Sequence, residues 1–189
     1  MKISSLIKLS ILAIACIFGR EVQADFFHNQ PFNPVVLPVA IDTTAINQYD
    51  EIGLRTGLWK DDIYNYVVFA NYKEGRLDGA RVVYTNGDIP DELYYLSEVS
   101  FYNMGLLQGS VYMFLPNGRI VVCIVNIINN PSSESFPYKG YTYEYNDDGT
   151  LAREGYYLFS EDFEIENKHV GIWKIYNADG SYSEKDYGN

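Results

Sequence analysis

The sequence predicts an all-β protein, an array of antiparallel β-hairpins forming one long, twisted sheet. Three observations carry this expectation. First, Asn86-Gly87, Asn117-Gly118, Asp148-Gly149 and Asp179-Gly180 follow one another at intervals of 31 residues. Such dipeptides are the strongest short hairpin signals, because both residues tolerate positive φ. Second, an aromatic precedes each turn (Tyr84, Phe114, Tyr145, Tyr176), and five residues before each aromatic stands a glycine (Gly79, Gly109, Gly140, Gly171). Third, the stretches 64–72, 93–102, 119–128 and 153–159 are rich in Tyr, Val, Ile and Phe, residues that suit a pleated, half-buried surface. Few stretches beyond the N-terminus show a 3.6-residue period.

The elements follow in chain order. Residues 1–24 begin with Lys2 and Lys8, continue through an apolar stretch and end in Val22-Gln23-Ala24, the pattern of a secretory signal peptide cleaved after Ala24. The apolar stretch falls short of the roughly 20 residues that a spanning helix needs, and no later segment approaches that length. The mature chain is therefore expected to be periplasmic or secreted, without a transmembrane segment. A rival processing site exists: Ala13-Ile14-Ala15-Cys16 resembles a bacterial lipobox, which would instead anchor a lipoprotein through Cys16.

Residues 25–52 carry Pro31, Pro34 and Pro38 and lack the glycine–aromatic pattern. They read as an extended arm lying across the sheet or capping its first strand. From residue 53 to 189 the hairpin units run on, each a meander of two or three strands that shares a core with its neighbours. Gly57-Leu58-Trp59-Lys60 matches Gly171-Ile172-Trp173-Lys174 and marks an eroded first unit. Both tryptophans are expected to pack in the core, with ligand stacking as the alternative. Gly79 is one residue out of phase with Gly109, Gly140 and Gly171, which predicts a bulge or a shortened turn. The segment 130–135 reads as a surface loop.

Composition bounds the function. Of 189 residues, 47% are hydrophobic, too many for a disordered chain. The net charge is −11 from 14 basic and 25 acidic groups. Cleavage after Ala24 removes Lys2, Lys8, Arg20 and Glu21, leaving 11 basic against 24 acidic groups, a net −13. Neither a nucleic acid nor an anionic membrane suits such a chain, and the partner expected is a protein with a basic surface. In the mature chain Cys123 is alone, so no internal disulfide forms, and its apolar run 121–125 reads as a buried strand.

The pattern Tyr72-Lys-Glu-Gly75-Arg-Leu-Asp-Gly79, then Tyr84-Thr-Asn-Gly87, resembles the bacterial (YwqK-type) variant of the MORN repeat. Gly57-Leu-Trp-Lys and Gly171-Ile-Trp-Lys-Ile-Tyr176-Asn-Ala-Asp-Gly180 carry the same signature. The resemblance covers about 53–182. It departs from the family in its longer units and in the missing tryptophan of the middle units. It implies a hairpin array used as a scaffold or recognition surface rather than an enzyme.

The residues offer little chemistry. His28 and His169 stand apart with no metal-ligand spacing, and no Gly-x-Ser-x-Gly elbow occurs. No catalytic, cofactor or metal residue is therefore assigned. Asp61-Asp62, Asp147-Asp148 and Glu161-Asp162 could serve a glycosidase, but adjacent strand residues point to opposite faces. Read as an EF-hand around Gly149, the loop has Glu144 at position one and Gly155 at position twelve, and fails. The reading is an exported, non-enzymatic β-repeat protein for interaction or scaffolding, supported by 18 tyrosines, all from Tyr49 onward. The alternatives are an envelope polysaccharide hydrolase and a structural envelope component without a specific ligand.

Overall fold

The computed structural model describes residues 46–86, 94–161 and 166–188. The leader at 1–24 with Cys16, the arm's residues 25–45 with His28, and Gly87, Leu93 and Asp162 lie outside the described residues. Among the described residues there is no helix. Eleven strands are present: β1 (Gln48–Tyr49), β2 (Arg55–Ile63), β3 (Tyr66–Lys73), β4 (Arg76–Thr85), β5 (Tyr95–Asn103), β6 (Leu106–Phe114), β7 (Ile120–Asn129), β8 (Tyr138–Tyr145), β9 (Leu151–Phe159), β10 (Lys168–Tyr176) and β11 (Tyr182–Asp186). They lie side by side in chain order, each antiparallel to the next, in one open sheet. The expected hairpin array is thus the observed fold. Each 31-residue unit is two strands: Gly79, Gly109, Gly140 and Gly171 fall on β4, β6, β8 and β10, as Gly57 falls on β2.

Directly opposed residues share a face, so the register traces rows across the sheet. One row on the first face runs Lys60, Phe69, Val82, Val99, Tyr112, Cys123, Tyr143, Glu154, Lys174, Glu184. Its apolar centre joins Val67, Tyr84 and Phe114 in one buried cluster. Burial pushes the Cys123 thiol up to about 12, which keeps it a protonated core hydrophobe. The adjacent row on the second face runs Asp61, Val68, Val83, Glu98, Met113, Val122, Glu144, Arg153, Ile175, Ser183. On that face Tyr102, Leu107, Val111, Ile124, Tyr138, Tyr157, Phe159 and Trp173 form a second core.

The repeated glycines are sites of irregular register. Three residues of β4 (78–80) stand against Asn71 alone, and three of β6 (108–110) against Phe101 alone. Gly79 and Gly109 lie at the centres of these bulges with φ of 101° and 98°, angles that a side chain adopts only under strain. Tyr84 and Phe114 are likewise 30 residues apart, so the one-residue phase slip falls between Tyr84 and Asn86. Gly140 keeps the 31-residue spacing but not the role. Here the extra residue is on β7, where Asn126 and Ile127 face Gly140 and Asn126 takes the positive φ of 53°.

The Asx-Gly turns differ from two-residue hairpins. In the loops at Gly118, Gly149 and Gly180 the glycine N–H donates to the carbonyl three residues back (Leu115, Asn146, Asn177) at 2.8–3.0 Å. Of each dipeptide only the glycine has positive φ, as in a type I turn closed by a left-handed glycine. The Asx residue serves instead through its side chain. Asp148 Oδ1 accepts from Thr150 N and Oγ1 (2.8 and 2.6 Å), and Asp179 Oδ1 from Ser181 N and Oγ (2.9 and 2.6 Å). Asn117 Oδ1 accepts from Arg119 N at 3.0 Å. These bonds hold the Asp148 and Asp179 carboxyls below the ordinary aspartate value. A carboxyl lowered in the fold contributes stability above its unfolded value and loses it as pH falls through the folded value. The melting temperature is therefore expected to drop as pH falls below about 4. D148N/D179N should flatten part of that drop, since an amide still accepts at Oδ1. An unchanged acid slope in the double variant would refute this reading of the turns.

Candidate interaction face

Beyond Cys123 the first face changes character. Tyr141, Tyr143 and Tyr145 alternate along β8 and so share that face, opposite Tyr156 and Glu154 of β9. Lys174 and Tyr176 of β10 and Tyr182 and Glu184 of β11 complete it. The rings touch edge to face: Tyr141 and Tyr156 lie 5.0 Å apart at 90°, Tyr141 and Tyr143 5.2 Å at 64°. Tyr176 and Tyr182 lie 5.7 Å apart. Tyr156 and Tyr182 are 44% and 51% exposed, beside Ile172 at 59%, while the other four tyrosines are half-buried.

Glu154 sits under this strip, only 8% exposed. Its Oε1 accepts from Tyr176 OH at 2.8 Å and pairs with Lys174 Nζ at 3.3 Å. Burial and then this carboxylate push the Tyr176 phenol up to about 12, and burial is again the larger cause in raising Tyr141. The phenols stay neutral donors at physiological pH. Two ring faces hold ammonium groups: Lys139 Nζ lies 4.8 Å from the Tyr156 centroid and Lys174 Nζ 5.1 Å from that of Tyr182. The strip is a surface on which cations rest against aromatic faces.

Other expected residues are distributed as follows. Tyr84 and Phe114 lie in the first-face core, with Tyr145 packed against it. Trp59 and Trp173 are 5% and 0% exposed, closed in by aromatic neighbours on the second face. Asp61 pairs with Arg55 (2.9 Å) and Asp62 with Lys60, and the register sets the two aspartates on opposite faces. Glu161 accepts from Tyr102 OH and, at 3.1 Å, from Tyr138 OH. Two buried or nearly buried carboxylates were not singled out as site residues by the sequence: Glu154, and Glu144, which figured there only as the first position of the failing calcium loop. They also lie on opposite faces, since Glu144 opposes Arg153 and Glu154 opposes Tyr143. Among the described residues no three His, Cys, Asp or Glu side chains gather as a metal-ligand set. The alternating Tyr-x-Tyr-x-Tyr of 141–145 was the readable sign of the strip.

No protein-family model matches the chain, and no curated protein matches it. Among solved structures it is similar to a chain of a GtfA/B complex bound to UDP and GlcNAc, at 12% identity and a TM-score of 0.38. That likeness covers 98% of this chain and 38% of the other, so the chain spans well under half of its length. It is also similar to a protein of unknown function from Bacteroides fragilis NCTC 9343, at 11% identity and a TM-score of 0.28, covering 64% of this chain and 88% of that one. At these scores neither likeness carries an argument.

Proposed function

We propose that the chain is an exported, non-enzymatic β-repeat module that uses the tyrosine strip of β8–β11 to bind another protein through a basic surface. The carrying observation is the contiguous, part-exposed set of Tyr141, Tyr143, Tyr156, Tyr176 and Tyr182 over the buried Glu154. Tyrosine offers large, rigid contact area at low entropic cost, and two of these rings already receive lysine ammonium groups. A partner's Lys or Arg would meet the remaining exposed ring surface in the same way, and the net charge of −13 expected of the mature chain would attract it.

The test exploits exposure. Tyr156→Ser with Tyr182→Ser removes the two most exposed rings of the strip, so the melting temperature should stay within about 3 °C of wild type, as for other surface changes. Crosslinking pull-down from the native envelope should give a saturable product with the wild-type chain. The double variant should bind that isolated product at least about tenfold more weakly, as loss of central aromatic anchors does. Equal affinity of the folded double variant would overturn the proposal.

A further inference from the structure

The two buried tryptophans occupy boxes built alike. Around Trp59 stand Tyr49 (4.9 Å), Tyr72 (6.1 Å) and the Arg55 guanidinium (4.2 Å). Around Trp173 stand Tyr157 (5.0 Å), Tyr187 (6.3 Å) and His169 (4.4 Å). Each indole Nε1 donates at 3.1 Å to the preceding strand, to Gln48 O in one box and Tyr156 O in the other. Gly57 and Gly171, two residues before each tryptophan, share a φ of 67°. His169 therefore holds the place of Arg55, two residues before the glycine.

The two places differ in how they treat a positive charge. Arg55 Nη1 has a counter-ion in Asp61 at 2.9 Å and an acceptor in Tyr72 OH at 3.2 Å. His169 stacks on Tyr187, 4.7 Å away at 16°, but its Nε2 is buried without a hydrogen-bond partner. The groups facing it are Glu144 from β8, Arg153 and Tyr157 from β9, and Lys185 and Tyr187 from β11 and the tail after it. The carboxylate among them is already engaged: Glu144 accepts from Arg153 Nε at 2.6 Å and from Tyr157 OH at 2.5 Å.

We propose that His169 is an acid-operated latch on the C-terminal edge of the sheet. Neutral, it stacks on Tyr187 and keeps the tail closed; protonated, it releases Tyr187 and Gly188. An imidazolium in place would add a third cation beside Arg153 and Lys185 and bury an N–H with no acceptor, both costly. The walls do not yield equally. Trp173 and Tyr157 belong to the second-face core. Tyr187 is partly buried at the sheet's edge, tied by Gly171 N to Gly188 O (2.6 Å) and Tyr187 N to Gly171 O (3.0 Å), after a strand exposed throughout. Burial, then Arg153, with Lys185 adding and Glu144 opposing, holds the closed-state imidazole below its ordinary value. The closed form thus binds fewer protons. The ratio of closed to open tail falls, by at most about tenfold for each pH unit, between the open value of about 6.5 and the lower closed one, then levels off.

Hydrogen exchange of the full chain tests this. Protection of peptide 180–188, corrected for intrinsic chemistry and referred to peptide 66–73, is expected to fall between pH 7.5 and 5.0, by no more than about tenfold for each pH unit. His169→Phe keeps a stacking ring without a titrating proton and should abolish the fall. Constant protection in the wild type, or a fall that survives in His169→Phe, overturns the latch. A second measurement does not depend on that variant folding. The sequence has two histidines, so His28→Ala leaves one imidazole to titrate by NMR. Its midpoint should lie below 6.5, and a midpoint at or above that value rejects the proposal.

Discussion

Replacing Trp173 by alanine is expected to lower the free energy of unfolding by about 3–5 kcal/mol, the range for deleting a large buried aromatic. The side chain is completely buried and is a member of the second-face core with Tyr157, Ile124 and Phe159. The substitution removes ring contacts to Tyr157, His169 and Tyr187 at once. It also removes the indole donor to Tyr156 O and the ring on which the Arg153 guanidinium rests at 5.8 Å. The expected loss is a large part of the 5–15 kcal/mol that a domain commonly has. Trp59→Ala should cost less, because its box closes against β1, a two-residue strand. Urea unfolding of both variants measures the difference. A cost below about 1.5 kcal/mol at Trp173 would mean that the box is not part of the cooperative core.

The hairpin array was legible in the sequence because its signals are local. A glycine at a turn and an aromatic in the preceding strand act within ten residues of one another, so their period survives inspection. Strand bodies were legible for the same reason, and β3, β5, β7 and β9 fall on the expected stretches to within two residues at either end. What was hidden depends on register between strands. Gly140 and Gly171 keep the same spacing, yet one faces a bulge and the other forms it. Periodicity cannot reveal on which side of a strand pair the extra residue lies. The chemistry of Glu154 was hidden likewise: it needs Tyr176 from 22 residues away, a contact set by the bulged pairing of β9 with β10. Asn117, Asp148 and Asp179 marked the turns correctly, but they act through a side-chain acceptor rather than through a left-handed backbone.

Gly155 shows how much such a hidden residue can matter. It was read only as the failing twelfth position of a calcium loop, yet Gly155→Ala is expected to cost about 3 kcal/mol, near the upper end for forcing atoms into a packed core. It stands alone against the three-residue bulge of β10, and the Trp173 indole lies flat across it. A Cβ at Gly155 would fall 2.4 Å from both Cγ and Cδ2 of Trp173, so the indole or the strand must move. The indole is hemmed in by its bond to Tyr156 O and by His169 and Tyr157. Its own φ is not in the left-handed region, so the cost is steric rather than conformational. Gly155→Ala should therefore be nearly harmless once Trp173 is alanine. A double-mutant cycle should show a coupling of about 3 kcal/mol, at the upper end of the range for residues in contact. If the two substitutions simply add, the clash is not the reason a glycine stands there. In the first box the matching position is Asn47, whose φ of 60° and side-chain bonds to Lys60 N and O offer the other way to clear an indole. One box removes the side chain and the other redirects it, and the added methyl tests which constraint is the binding one.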